Sequence, residues 1–114
     1  MGMNPPVKTH PLYKLLREGK VDDFNKKKST LGPDDLVGCD FRSVDLRGLD
    51  AVGLNLRDCY FRQADLRGID FSQSNLEGAS LHNAFISGCY FPHVLQPFEI
   101  DLSLRHGTRM RYKK

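Results

Sequence analysis

Large apolar residues recur at every fifth position between Asp34 and Pro92. Leu36, Phe41, Leu46, Leu56, Phe61, Leu66, Phe71, Leu76, Leu81, Ile86 and Phe91 keep this spacing, and Ala51 is the one undersized member. Asp or Asn stands one residue before most of them, at Asp35, Asp40, Asp45, Asp50, Asn55, Asp65, Asp70 and Asn75. A small or apolar residue stands two before, and Gly recurs two after, at Gly38, Gly48, Gly53, Gly68, Gly78 and Gly88. A period of five suits no regular element. On an α-helix at about 100° per residue, each step of five advances roughly 140°, which scatters the apolar residues around the cylinder. On a straight strand five is odd, so alternate members would face opposite sides. All of them face inward only if the chain turns a corner every five residues. The pattern therefore predicts a solenoid in which each side of a coil delivers its central residue to the axis.

The flanks follow other rules. A short helix is expected over Pro11–Glu18, with Thr9 or His10 as its cap, Leu12, Leu15 and Leu16 as its apolar stripe and Gly19 as its stop. A second is expected over Val21–Lys28, with Asp22 and Asp23 at its start and Lys26 to Lys28 at its end, as the macrodipole favours. Both are too short to persist alone, and the open first coil around Leu36 needs a cover. After Pro92 the period ends. Pro97 opens a third helix bearing Phe98, Ile100, Leu102 and Leu104, and Gly107 stops it; this helix can close the last coil. In the basic tail from Thr108 to Lys114, Met110 and Tyr112 alternate with Arg109, Arg111 and Lys113. That alternation suits a short strand laid on the repeats or across a dimer partner. Residues 1–9, with Pro5 and Pro6, read as a frayed lead-in.

Segments such as Ala64-Asp65-Leu66-Arg67-Gly68 and Ser74-Asn75-Leu76-Glu77-Gly78 resemble the pentapeptide-repeat pattern A(D/N)LXX. The resemblance covers about twelve pentapeptides in register. It implies an all-β solenoid, a right-handed quadrilateral β-helix of about three coils, with short α-helical caps at both ends. Residues twenty apart would then stack, giving columns such as Phe41/Phe61/Leu81 and Ala51/Phe71/Phe91. The pattern is broken at Ala51 and at Tyr60, Ser80, Phe85 and Tyr90, which stand where Asp or Asn is usual. Three units are expected: a helical cap over 1–33, the repeats over 34–93, and a helix with a basic tail over 94–114.

Charge divides along the same lines. The formal net charge of +3 hides an acidic shaft between basic ends. Residues 1–33 hold seven basic and three acidic side chains, residues 34–93 five and nine, and residues 94–114 five and two. In the shaft, Arg42 would stack over Arg62 and Arg47 over Arg67, interleaved with Asp45 and Asp65. This is either a self-neutralising ladder or a binding stripe formed by Arg42, Arg47, Arg62 and Arg67 together with the outward Tyr60. The second candidate surface, for end closure or dimer contact, is Phe98, Ile100, Leu102, Leu104, Met110 and Tyr112.

Catalytic chemistry is not expected. The sequence has no H-E-x-x-H, Walker, G-x-G-x-x-G or G-x-S-x-G motif. His10, His82, His93 and His106 are dispersed, so no metal and no cofactor is expected. The regularly spaced Asp residues of a convex shaft lack the cleft that would drive two pKa values apart. Cys39 and Cys59 would stack as buried hydrophobes, a redox pair being the alternative. No apolar run is long enough to span a membrane, and with no signal peptide a cytoplasmic protein is the expectation. The reading that follows is a non-enzymatic protein–protein interaction module, with a homodimer as one form it could take. An alternative comes from the family resemblance, some of whose members are regarded as duplex-DNA mimics that act on topoisomerases. Weak nucleic-acid binding through the basic ends is a further reading, although nucleic acid is not the expected partner.

Overall fold

The structure, a computed structural model, describes residues 10–113. The expected lead-in, and Thr9 as a helix cap, lie outside the described residues.

Each pentapeptide closes as a turn. The N–H three residues beyond a central residue bonds back to its carbonyl, as from Val44 to Phe41 (3.3 Å), Ala64 to Phe61 (3.0 Å) and Ala84 to Leu81 (2.8 Å). Such a turn needs a left-handed φ at its third residue when it is of type II, which accounts for the recurring glycine, as at Gly68 (φ 80°). Ser43, Asp58, Gln63 and Asn83 occupy the same slot and adopt φ between 58° and 60° without that freedom.

After four turns the chain lies over itself. Parallel bridges join residues twenty apart, running from Asp40 to Tyr60 to Ser80 on one side and from Asp45 to Asp65 to Phe85 on the next. Bonds cross between windings in both directions. Phe61 N donates to Ser80 O (2.9 Å) and Gln63 N to His82 O (2.9 Å), while Ser80 N donates back to Cys59 O (3.0 Å). Phe41 and Phe61 stack with ring centroids 5.5 Å apart, and Phe71 and Phe91 at 6.0 Å. Ala51 is buried between buried Leu49 and Leu54, so larger neighbours fill the space it leaves.

The expected fold class is corrected by these same bonds. Among the described residues there is no β-strand and no sheet, so the chain is not an all-β solenoid or quadrilateral β-helix. Every bridge is isolated. The physical reason is the length of a side: a corner interrupts the pairing after one residue, so a ladder never extends to a second consecutive pair. The regular elements are helical instead. They are α1 (Pro11–Arg17), α2 (Val21–Lys27) with a 3-10 turn at Lys28–Thr30, and α3 (Pro97–His106).

α1 is capped by His10, whose Nδ1 accepts from Leu12 N (3.1 Å) while its Nε2 faces Asp35 at 3.2 Å. Leu12, Leu16, Val21 and Phe24 from α1 and α2 are buried in the same core as the first winding. Their polar neighbours supply the bonds that a preceding winding would make. Tyr13 OH donates to Asp40 O (2.7 Å), and Arg17 Nη1 to Arg42 O (2.9 Å). The Asn25 amide acts as a surrogate peptide, donating to Gly48 O (3.0 Å) and accepting from Asp50 N (2.9 Å). α3 begins at Pro97 and ends at Gly107, which is left-handed at φ 73°.

Candidate interaction surface

From Asp40 to Asn75, the Asp or Asn of an A(D/N)LXX unit folds over its own turn, accepting from the N–H two residues later, as Asp45 does from Arg47 N (3.1 Å). The arginine at that later position returns to the same carboxylate. Arg42 pairs with Asp40 (2.8 Å), Arg47 with Asp45 (2.8 Å) and Arg67 with Asp65 (2.7 Å). Arg47 also reaches Asp65 of the next winding at 3.3 Å, joining two units into a zigzag. Side-chain hydrogen bonding to Arg67 holds Asp65 at a pKa of about 2. The same kind of bond from Arg47 lowers that of Asp45. The candidate stripe of Arg42, Arg47, Arg62 and Arg67 is thus divided. Three of its members are bound to their own carboxylates, and Arg62 has no ion-pair partner among the described residues.

Tyr60 is half-buried beneath the tail. Arg109 lies over its ring (5.4 Å to the centroid), donates to its hydroxyl at 2.6 Å and pairs with Asp58 at 3.2 Å. The rest of the tail is also engaged within the chain. Met110 is fully buried, accepting from Gly78 N (2.7 Å) and donating to Ala79 O (2.9 Å). Tyr112 OH accepts from Leu76 N at 2.7 Å, and Arg111 pairs with Glu99 at 2.8 Å. The tail lies on its own repeats but forms no strand.

α3 completes that closure with some residues the apolar pattern marked and some it did not. Phe98, Ile100, Leu102 and Leu104 are spaced by two and so divide between two faces, and Ile100 and Leu104, four apart, pack against the core. Phe98 is 64% exposed, and the other three are half-buried. The buried positions are Glu99 and Ser103, four apart. Ser103 Oγ accepts from Leu81 N (2.8 Å) and donates to Thr108 O (2.7 Å), while Leu104 O accepts from Asn83 N (3.1 Å). The signal in the sequence is the i, i+4 pair of hydrogen-bonding side chains, Glu99 and Ser103, which an apolar pattern does not mark.

All of these closing bonds fall on residues 76–83, the first two sides of the last winding. The next two sides, around Ile86 and Phe91, receive none. There Phe85 is 56% exposed and Tyr90 68% exposed, and Ile86 and Phe91 are half-buried. The charge ladder also stops here. Phe85 occupies the slot above Asp65, and Arg67 lies over its ring at 5.8 Å.

A family model for pentapeptide repeats matches eight copies over residues 35–63 and 55–91, together half of the chain. The chain belongs to the pentapeptide-repeat family. No curated protein and no solved structure gives a significant match. Within the pentapeptide-repeat stretch, the departures from Asp or Asn at Phe85 and Tyr90 coincide with the uncovered sides, and that at Tyr60 with the tail's docking point.

Cys39 and Cys59 are buried and not joined in a disulfide, and Cys59 Sγ donates to Leu36 O at 3.0 Å. Burial pushes the Cys59 thiol far above its ordinary pKa, which withholds the thiolate needed for nucleophilic or redox work. Among the described residues no three His, Cys, Asp or Glu side chains gather as a metal ion would need, and no helix is long and apolar enough to cross a membrane.

Proposed function

We propose that this pentapeptide-repeat protein is a non-enzymatic interaction module whose binding surface is the half-open C-terminal end of the stack. One observation carries the reading: two sides of the last winding are uncovered, and they expose Phe85 and Tyr90 in slots that elsewhere hold charged or polar groups. Exposed aromatic side chains, one of them with a guanidinium over its ring, are the residues from which interface anchors are drawn. The ladder side offers less, since most of its arginines are already neutralised. For the same reason mimicry of duplex DNA toward a topoisomerase gains little support. Its carboxylates alternate with bound guanidinium groups, whereas phosphates present a uniform sign. Binding of nucleic acid by the tail competes with the pairs Arg109–Asp58 and Arg111–Glu99.

The test compares partners retained by the tagged wild-type protein and by Phe85→Glu in native host extract. A partner lost from the variant supports the reading. A partner retained by Phe85→Glu but released by Arg62→Ala moves the surface to the ladder and overturns it.

A further inference from the structure

Along one corner of the stack, where the fourth side of each winding meets the first side of the next, the wall is cut away. Gly53 has no side chain, and the space that a Cβ would face there is open. Ser74 stands in an inward slot that Leu54 fills one winding earlier, and its Oγ donates to Ala51 O (2.7 Å). After Pro92 the chain leaves the repeats, and the tail returns beside the gap. It is held there by bonds from Lys113 N to Val94 O (3.0 Å) and from Leu76 N to the Tyr112 hydroxyl (2.7 Å). These features leave a groove of about 510 Å³, within the roughly 300–1,000 Å³ of small-molecule sites. A second concavity of about 140 Å³ shares Gly53, Leu54 and Asn55 with it and continues toward the N-terminal cap. The Lys28 that borders this extension is already paired with Asp50 at 3.1 Å.

We propose that this groove binds a neutral, hydroxyl-rich ligand, a short oligosaccharide. Its lining selects the class. Asn55, Gln73 and Asn75 bring amides, Ser72 a hydroxyl and His93 an imidazole, and among the described residues no Asp, Glu, Lys or Arg lines it. An ionic ligand would lose water here without gaining a counter-charge. An apolar ligand would strip water from polar groups that have no other partner. The Gln73 amide, the Asn75 Nδ2 and the His93 imidazole make no hydrogen bond among the described residues. A peptide that pairs through its backbone needs a free edge, but Gly53 N, Leu54 O, Asn75 N, Asn75 O and Val94 O are already bonded within the chain. The groups left over are side chains that both donate and accept. A sugar hydroxyl answers both needs, with one proton to give and two lone pairs to offer. Half-buried Tyr112 adds an aromatic wall for the apolar C–H groups of a sugar ring. The groove is also preformed. Bonds from Gly53 N to Gln73 O (2.8 Å), Asn75 N to Leu54 O (3.0 Å) and Leu56 N to Asn75 O (2.8 Å) tie its two windings together, which limits the ordering that binding must impose. Neither Phe85 nor Tyr90 lines it, so this site is separate from the interaction surface and goes beyond that reading.

The test is titration of the isotopically labelled full chain with maltotriose, cellotriose and chitotriose, followed by NMR of the amide groups. At least one of these sugars should move the side-chain signals of Asn55, Gln73 and Asn75 together. Sugar at about 20 mM nearly saturates a site of roughly 1 mM affinity, so signals unmoved by every one of them overturn the proposal. Gln73→Ala and His93→Ala change exposed positions, so each variant should melt like the wild type. Each should weaken sugar binding about three- to tenfold, the worth of one neutral hydrogen bond. An affinity indifferent to both changes places the sugar elsewhere and overturns the proposal. Trigalacturonate and an uncharged Gly-Ser peptide are the competing probes. Tighter binding of either one at the same amide signals also overturns it, by assigning the groove to an anion or to a peptide. Pure protein and sugar are the only components, so failure here leaves a partner captured through Phe85 unaffected.

Discussion

The two ends of the repeat stack are closed by different means and to different extents. At the N-terminal end, the central residues Leu36, Phe41, Leu46 and Ala51 are at most 3% exposed. At the C-terminal end, Leu76 and Leu81 are equally sealed, but Ile86 and Phe91 are only half-buried. Both ends have helices and apolar side chains available. What differs is the apolar cover. Tyr13 and Arg17 answer the first winding at Asp40 and Arg42, and Asn25 answers it at Gly48 and Asp50, while Ser103, Leu104, Met110 and Tyr112 answer the last at residues 76–83. Each cap bonds part of its winding, but at the first Leu12, Leu16, Val21 and Phe24 also bury apolar side chains in the shared core.

The contrast should be largest in a matched pair of truncations. Phe24→Ala removes a fully buried ring beneath the first winding and should cost about 3–5 kcal/mol by chemical denaturation. Phe98→Ala, at an exposed position, should cost within about 0.5 kcal/mol. Equal losses would erase the distinction between the ends. Asn25→Ala leaves Gly48 O and Asp50 N without their surrogate peptide and should cost about 1–3 kcal/mol. Amide exchange should rise at Asp50 and remain unchanged at Leu81, and a rise at both would mean that the ends are sealed jointly.

Acid should act on the first two windings through their aspartates, and on the C-terminal closure through Glu99, whose carboxyl Arg111 holds below its ordinary pKa. Asp65 titrates at about 2 when folded and near 3.9 when unfolded. Its folded pKa is depressed, so its contribution is complete above about pH 4 and is lost as the pH falls toward 2. Asp65→Asn should flatten the stability profile across that window, and thermal melts between these limits would show it. A profile unchanged by the substitution would mean that the zigzag does not form in solution. The smallest effect is expected at Gln63, held at φ 58°. Gln63→Gly should stabilise by about 0.5 kcal/mol, as relief of the left-handed conformation outweighs the added freedom of the unfolded chain.

The repeat itself was legible because its cause is local. Five-residue spacing of Leu and Phe, with Asp before and Gly after, records one turn at a time, and each turn forms with bonds of its own. The α1 and α3 boundaries were legible through His10, Pro97 and Gly107 for the same reason. The absence of strands was not legible. Spacing shows that a corner occurs, but not that it leaves a single bridged residue on each side. The closure of the last winding was hidden for another reason. Ser103 and Met110 act on residues more than twenty positions away and Glu99 on Arg111, and polar Glu and Ser leave no mark in an apolar pattern. Nor did the sequence disclose that Tyr60 is occupied, since Arg109 lies far from it along the chain.

The surrogate peptide at Asn25 has a consequence for evolution and for engineering. An end piece that imitates a missing neighbour does not depend on how many true neighbours lie beyond it. Duplicating a block of twenty residues in the middle of the chain would lengthen the stack by one storey while both terminal fittings met the same contacts as before. The number of storeys is therefore open to change through sixty-nucleotide duplications, without redesign of either terminus.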